Sequence, residues 1–373
     1  MTESDGSREF PGRLLSLDLF RGATMFLLVA ESTRLYSRLG SLFPEGSVLH
    51  GLVTQFHHHP WNGLRFWDLV QPYFMFIVGV AMVFSLQKRW DRGDSWSDTT
   101  RHILLRCAIL FVLGVVLHCG YSRELVWELW NVLTQLSFTI LVAYLIFRLP
   151  LRTQLLLSFG LLLGMDLVYR WFPVAGFDQP FVKGENFGAW FDTLIMGKIN
   201  GGGWVAINCV PTAAHTIWGV LAGKILISGR DDREKFRILA MAGLVGIAVG
   251  YGMDWSGLTP IIKRICTSSF VIVSGGWCLL TLAVCYWAVD MKGYKRFVLP
   301  FSMVGMNSIF IYMFSETVGQ QWLNGFVGIF TDGFMGWFGM EGNLVGVLGA
   351  LTVLACEWYL CYWLFKRRIF IKI

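Results

Sequence analysis

Charged residues are scarce in this sequence. They make up 15% of its 373 residues, against about 25% in a soluble globular chain, while 55% of the residues are hydrophobic and the mean hydropathy is +0.55. One water-facing core cannot hide that much apolar surface. Long apolar runs recur along the whole length, so no separate soluble domain can be cut out. Polar alternation is missing from those runs, which excludes a transmembrane barrel and leaves helices, the other structure that satisfies its own backbone in lipid. The eight cysteines lack metal-ligand spacing. Cys107, Cys209, Cys278, Cys285, Cys356 and Cys361 fall in apolar stretches, where a buried thiol is usually inert. Cys119 and Cys266 fall near helix ends, where a disulfide between them is left open. No cleavage pattern follows the first apolar run, so no secretory signal peptide is expected. Internal repeats and low-complexity segments are absent. The net charge of +6 arrives as short basic runs between apolar stretches, so nucleic acid is not an expected partner.

A spanning helix needs roughly 20 mostly apolar residues. The expected spans are 18–39, 66–86, 103–119, 131–148, 154–171, 204–227, 238–253, 269–289, 298–318 and 343–364, giving an all-α integral membrane protein of about ten helices. With the N-terminus inside, the cytoplasmic segments hold 21 of the 31 Lys and Arg residues. They are the N-tail, Lys88 to Arg106, Arg148 to Arg152, Lys224 to Arg237, Lys292 to Arg296 and Lys366 to Lys372. That bias agrees at every cytoplasmic loop and sets the orientation. An even number of helices then returns the C-terminus to the cytoplasm. The organisation expected is a single transmembrane domain over 1–373, with a short N-tail (1–15) and a basic C-tail (366–373), as a multi-pass protein of the cell (inner) membrane. Three outer segments are long: 40–65, 172–203 and 319–342. They are aromatic and Gly-rich, as loops over a pocket or an aromatic belt at the lipid headgroups would be.

Polar residues inside a bilayer cost several kcal/mol, roughly 2.5 to 3.5 for a charge on insertion scales, and are functional candidates. Asp18 and Arg21 lie three apart at the start of the first span, where they share a helix face; they form either a structural ion pair or a pocket wall. His57, His58 and His59 precede Pro60, Trp61, Asn62 and Gly63, with Asp68 following near the outer end of span two. Imidazole exchanges protons near neutrality, and a carboxylate ten residues on could orient it and stabilise its cation. A metal site and a purely structural loop are the alternatives, the metal being disfavoured because consecutive residues rarely converge on one ion. In span nine, Asn307, Ser308, Tyr312 and Glu316 sit on an otherwise apolar helix, with the last three on one stripe. They serve either as a site or as bonds between helices.

These groups, in this order, resemble the heparan-α-glucosaminide N-acetyltransferase family of transmembrane acyltransferases. The motifs are SLDLFRG (16–22), HHPWNGLRFWDLVQPYFMFIVG (58–79), TSSFVIVSGG (267–276), GMNSIFIY (305–312) and the tail ending KRRIFIKI, with Val210-Pro211-Thr212 through Gly223 as a further similar helix. The family shows a His three residues before Trp and an Asp ten residues after that His, which are His58 and Asp68 here. The likeness spans nearly the whole chain and is to a compact bacterial-type member without the lumenal domain of the animal enzymes.

The resemblance implies that acetyl-CoA, as co-substrate, is supplied from the cytoplasm and that an amino sugar of glucosamine type is acetylated from the outer side. His58 and Asp68 are then the catalytic residues. Either His58 acts as general base toward the amine, or it carries the acetyl group itself. The pocket candidates are Asp18, Arg21, Asn62, Ser269, Asn307, Ser308, Tyr312, Glu316 and Lys372. Lys372 would contact the CoA phosphates, and Asn307 and Ser308 would hold the thioester oxygen. A homodimer in membrane lipid, without metal, is also implied. The competing class is an amino-sugar transporter of N-acetylglucosamine type, which would explain polar spans and aromatic outer loops.

Overall fold

The chain folds as an all-α membrane protein. A computed structural model describes residues 14–340 and 342–371; among these there are fifteen α-helices and no strand, and one isolated bridge pairs Asn62 with Ile262. The expected phosphate contact Lys372 lies outside the described residues. The helices are α1 (Leu15–Ser32), α2 (Leu35–Gly40), α3 (Val48–Thr54), α4 (Val70–Trp90), α5 (Trp96–Ser122), α6 (Val132–Leu145), α7 (Leu151–Arg170) and α8 (Phe187–Met196). There follow α9 (Cys209–Ile227), α10 (Asp232–Trp255), α11 (Ser268–Tyr286), α12 (Val298–Met306), α13 (Ser308–Phe314), α14 (Asn324–Gly336) and α15 (Asn343–Lys366).

Among the described residues seven helices are long and apolar enough to cross a membrane, or eight if a bent pair counts as one span. The first and fourth expected spans are not among them: they overlap α1, whose 18 residues carry Asp18, Arg21 and Glu31, and α6, which has 14 residues. The helices outrun the hydropathy wherever a cap lets them. Before α5, Ser95 Oγ accepts from Asp98 N at 3.1 Å and Asp98 Oδ2 accepts from Ser95 N at 3.3 Å, a reciprocal box that satisfies donors at the helix start. Asp231 caps α10 by accepting from Glu234 N at 2.7 Å. Both helices therefore begin in polar sequence that hydropathy alone assigns to loops.

Two expected boundaries are corrected. The first span does not run to residue 39, because α1 stops at Ser32 and Arg34 adopts left-handed φ 62° before α2. Span nine is bent by 74° between α12 and the following helix, and that helix continues as a π-turn through Ser315–Leu323 into α14. Residues 319–336 are thus helical rather than part of an outer loop. Phe326, Ile329, Phe330 and Phe334 fall at i, i+3, i+4 and i+8 with exposed side chains, a helical apolar face that aromatic and Gly content had disguised.

The described residues form two compact units. The first contains the chain up to His58, Arg65–Val70, and the region from Cys285 onward; the second contains His59–Leu64 and Gln71–Val284. In the first unit α1 packs along α12. A Cβ on Gly22 would sit 2.1 Å from Phe301 O, and one on Gly305 would sit 3.0 Å from Gly22 Cα. Such small-residue crossings let helix backbones approach closely in lipid. In the second unit α4 and α9 cross in the same way: a Cβ on Gly79 would meet Thr216 O at 2.1 Å. There α9 is flanked by α6 and α7, and His215, fully buried, has Nε2 2.9 Å from Ser274 Oγ. Cys119 and Cys266 are both free thiols, so the disulfide left open by the sequence is not formed. Cys266 Sγ instead donates to Lys263 O at 3.0 Å.

Candidate active site

His58, Asp68 and the residues that close the loop around them, Gln55 and Arg65–Trp67, belong to the first unit. After α3 the chain leaves the helix at Gln55, whose carbonyl accepts from Trp67 N at 2.9 Å and whose Oε1 accepts from Phe66 N at 3.3 Å. These bonds pin both ends of the loop. Tyr36 stacks on Phe56 at 4.7 Å and meets Trp67 edge-on at 5.2 Å, so the pinned ends rest on an aromatic floor. Arg65 is extended, and a 3₁₀ turn over Phe66–Leu69 starts the long helix containing α4. Asp68 falls in its first turn, where a carboxylate is favoured by the positive end of the helix dipole.

Both Asp68 oxygens have assigned work. Oδ2 accepts from Arg65 N at 2.9 Å. Oδ1 lies 2.9 Å from His58 Nδ1. The Asp68 side chain is 1% exposed and that of His58 34%, so the carboxylate is sequestered while the imidazole is reachable. An ionised carboxylate only accepts, so Nδ1 carries the proton and Nε2 the lone pair. Arg65 Nη1 donates to His58 O at 3.0 Å, fixing the backbone from which the ring projects. Sequence reasoning missed Gln55 and Arg65; the available signal was their position just before the histidines and just before Asp68.

The neighbouring histidines have different surroundings. Burial, and then the Arg65 cation, hold the His57 imidazole below its ordinary range, and its backbone N–H is tied to Thr54 O at 3.1 Å. His59 lies in the second unit, its ring against Gly63 at φ +139°, where a Cβ would meet Nε2 at 2.7 Å. Also in that unit, Trp61 Nε1 donates to Phe181 O at 2.8 Å, and Asn62 is exposed and bridged to Ile262. Among the described residues no group of three His, Cys, Asp or Glu is arranged to hold a metal.

The remaining candidates are scattered. Asp18 and Arg21 pair at 2.7 Å on one face of α1, as their spacing requires. Asn307 sits at the bend after α12 with its amide engaged by the tail: Nδ2 donates to Ile369 O at 3.0 Å and Oδ1 accepts from Ile371 N at 2.8 Å. Its amide therefore ties the bend to the tail. Ser308 is half-buried at the start of α13 and Tyr312 is buried one turn on. Glu316 falls in the first turn of the π-helical segment Ser315–Leu323. Ser269, in the second unit, is fully buried and donates to Pro260 O at 2.8 Å, which stabilises the turn before α11.

The second unit holds a polar cluster that the sequence reading did not anticipate. Glu128 bridges His118 Nδ1 and Lys198 Nζ, each at 2.6 Å. Asp192 on α8 accepts from Trp130 Nε1 at 2.7 Å and from Ala206 N at 2.9 Å. Burial pushes its carboxyl up to about 6 against the pull of those two donors. Their partners lie 60 or more residues away, or across a loop, beyond any local spacing rule.

No protein-family model matches the chain. It is similar to two curated proteins, the heparan-alpha-glucosaminide N-acetyltransferases of Homo sapiens and Mus musculus. Each is 24% identical, over 370 and 372 aligned positions, covering 82% and 83% of this chain. The match takes in 53% and 54% of the relatives, so the chain spans about half the length of the curated proteins it matches. The chain is a relative of these N-acetyltransferases.

Proposed function

We propose that this chain is a membrane N-acetyltransferase, with His58 as its catalytic base or acetyl carrier. The observation carrying the proposal is the buried Asp68 carboxylate, fixed by Arg65 N–H and holding His58 Nδ1 at 2.9 Å. That arrangement keeps the proton on Nδ1 and the lone pair on Nε2, the tautomer that a general base or nucleophile requires. The donor is acetyl-CoA from the cytoplasm, and the acceptor is the amino group of a glucosamine-type hexosamine presented from the outer side of the cell membrane. Support comes from the named relatives and from the Lys/Arg distribution.

The chemistry admits two balanced routes. In direct transfer the acceptor nitrogen attacks the thioester carbon, Nε2 takes the ammonium proton, and the C–S bond breaks to release CoA thiolate. In the covalent route Nε2 attacks first and releases CoA, and the amine then displaces the imidazole. In both, the Asp68 carboxylate stabilises the positive charge that develops on the ring. The tail held by Asn307 carries Lys372 as the proposed contact for CoA phosphates. The broken helix gives no argument for transport, because the Asn307 amide at its break is taken by the chain's own tail. Both relatives are named as N-acetyltransferases.

Purified protein with labelled acetyl-CoA and a panel of amino sugars tests the reading. His58→Ala should abolish product while His57→Ala and His59→Ala retain substantial activity. Full activity in a well-folded His58→Ala protein, or sugar uptake into liposomes without acetyl-CoA, would overturn it. Acetyl found on His58 by intact-protein mass spectrometry would select the covalent route.

A further inference from the structure

The first unit contains a polar cavity of about 450 Å³ whose lining takes in no residue of the His58 loop. It lies where α1 ends, α2 begins, and α14 packs on α15. Arg34, Arg38, Gln320, Asn324, Thr331 and Asp332 contribute its polar lining. Its size is that of a small-molecule site, but its chemistry is not that of an apolar groove.

The backbone concentrates positive charge at this place. The left-handed turn at Arg34 redirects the chain directly after α1, and Arg34 and Arg38, one helical turn apart, both line the cavity. Neither guanidinium forms an ion pair or a side-chain hydrogen bond with the described residues. Arg38 lies flat against α15: a Cβ on Gly346 would be 2.5 Å from its Nη1. Gly349, where a Cβ would meet Thr331 Oγ1 at 3.1 Å, clears space one turn further along.

Acceptors complete the set. Asn324 donates its amide hydrogen to Ser32 O at 2.8 Å, which leaves Oδ1 buried without a hydrogen-bond partner among the described residues. Asp332 adds an exposed carboxylate. Two cations beside two acceptors suit a ligand that presents an oxyanion and neighbouring hydroxyls. Guanidinium forks match phosphate and sulfate bidentately, and the acceptors take the hydroxyl hydrogens of the group that carries the ester. An amine would be repelled by the arginines, so the cavity is unsuited to the acceptor nitrogen of the proposed reaction.

We propose that this cavity binds the phosphate or sulfate ester of a polyhydroxy group, carried by a lipid headgroup or by a soluble sugar. The site stands independently of the acetyl-transfer reading. Its test uses binding alone, on the full chain in neutral detergent. Native mass spectrometry compares phosphatidylglycerol with uncharged diacylglycerol, and calorimetry compares glucose 6-sulfate with glucose. Preference for phosphatidylglycerol identifies a lipid source and preference for the sugar sulfate a soluble one; either supports the site. Binding should weaken as NaCl rises and fall at least tenfold in Arg34→Gln/Arg38→Gln. Both side chains are exposed, so that variant should fold. Gly349→Leu, which fills the cavity without changing charge, should abolish binding too. Equal binding of charged and uncharged probes, no binding of either ester, insensitivity to salt, or wild-type binding by either folded variant would overturn the proposal.

Discussion

Replacing Asp68 with Asn is the sharpest test of the proposed chemistry, because its outcome follows from two hydrogen bonds. Asp68 accepts twice, from Arg65 N at 2.9 Å and from His58 Nδ1 at 2.9 Å. An Asn side chain has one acceptor oxygen and one NH₂ donor of nearly the same shape. If its oxygen faces Arg65 N–H, its NH₂ faces His58 Nδ1 and forces the ring into the tautomer that carries a proton on Nε2, which removes the lone pair. If its oxygen faces His58, two donors meet at Arg65, and an unsatisfied buried donor costs about 1–3 kcal/mol. The first arrangement loses catalysis and the second loses stability. Loss of a correctly oriented base costs about 10²–10⁴-fold in rate. Asp68→Asn should therefore lower kcat of acetyl transfer by that factor, with KM for acetyl-CoA little changed and the protein still eluting as a single peak. The wild-type rate should fall on the acid side, where protonation fills the Nε2 lone pair. A folded Asp68→Asn protein with full kcat would refute the assigned tautomer and with it the role of His58.

Other expectations follow from particular contacts. Gly22→Ala should lower the melting temperature, since the new methyl would overlap Phe301 O and overpacking costs about 1–3 kcal/mol; Gly160→Ala, open within 4 Å, is the control and should not. Lys372→Ala and Asn307→Ala should each raise KM for acetyl-CoA more than KM for the sugar, the loss of one charged contact being worth roughly 1.5–3 kcal/mol; unchanged values would remove the tail from the site. Asp192, raised to about 6, is protonated more readily folded than unfolded. Its stability contribution is complete below the ordinary carboxylate range and is lost as pH rises through about 6, a slope that Asp192→Asn should remove from thermal melts. In a cysteine-less background, Glu45→Cys should react with an impermeant thiol reagent outside intact cells and Asp91→Cys should not. Both are exposed and avoid the neighbouring Gly46 and Gly93, whose φ of +83° and +91° would strain a cysteine. The reverse labelling would invert the proposed orientation.

The sequence by itself determined the solvent this chain folds in and the material of its fold. Apolar runs without alternation require helices in lipid, because no other open structure satisfies its backbone there. It also placed Asp18 beside Arg21, and Asp68 ten residues after His58, because these relations are local and their periods are those of a turn or a short loop. Tertiary structure decided which groups such proximity actually uses. Adjacent His57, His58 and His59 are nearly equivalent as letters; the Gln55 and Arg65 bonds that close the loop present His58 to Asp68. Asn307 reads as a polar residue in an apolar span, and only the folded chain shows its amide tied to Ile369 and Ile371. The Asn307 tail contacts, the Asp192 donors and the arginine-lined cavity under α15 share one reason for being illegible. Each depends on side chains brought together from distant elements, and no local period encodes which distant elements will pack.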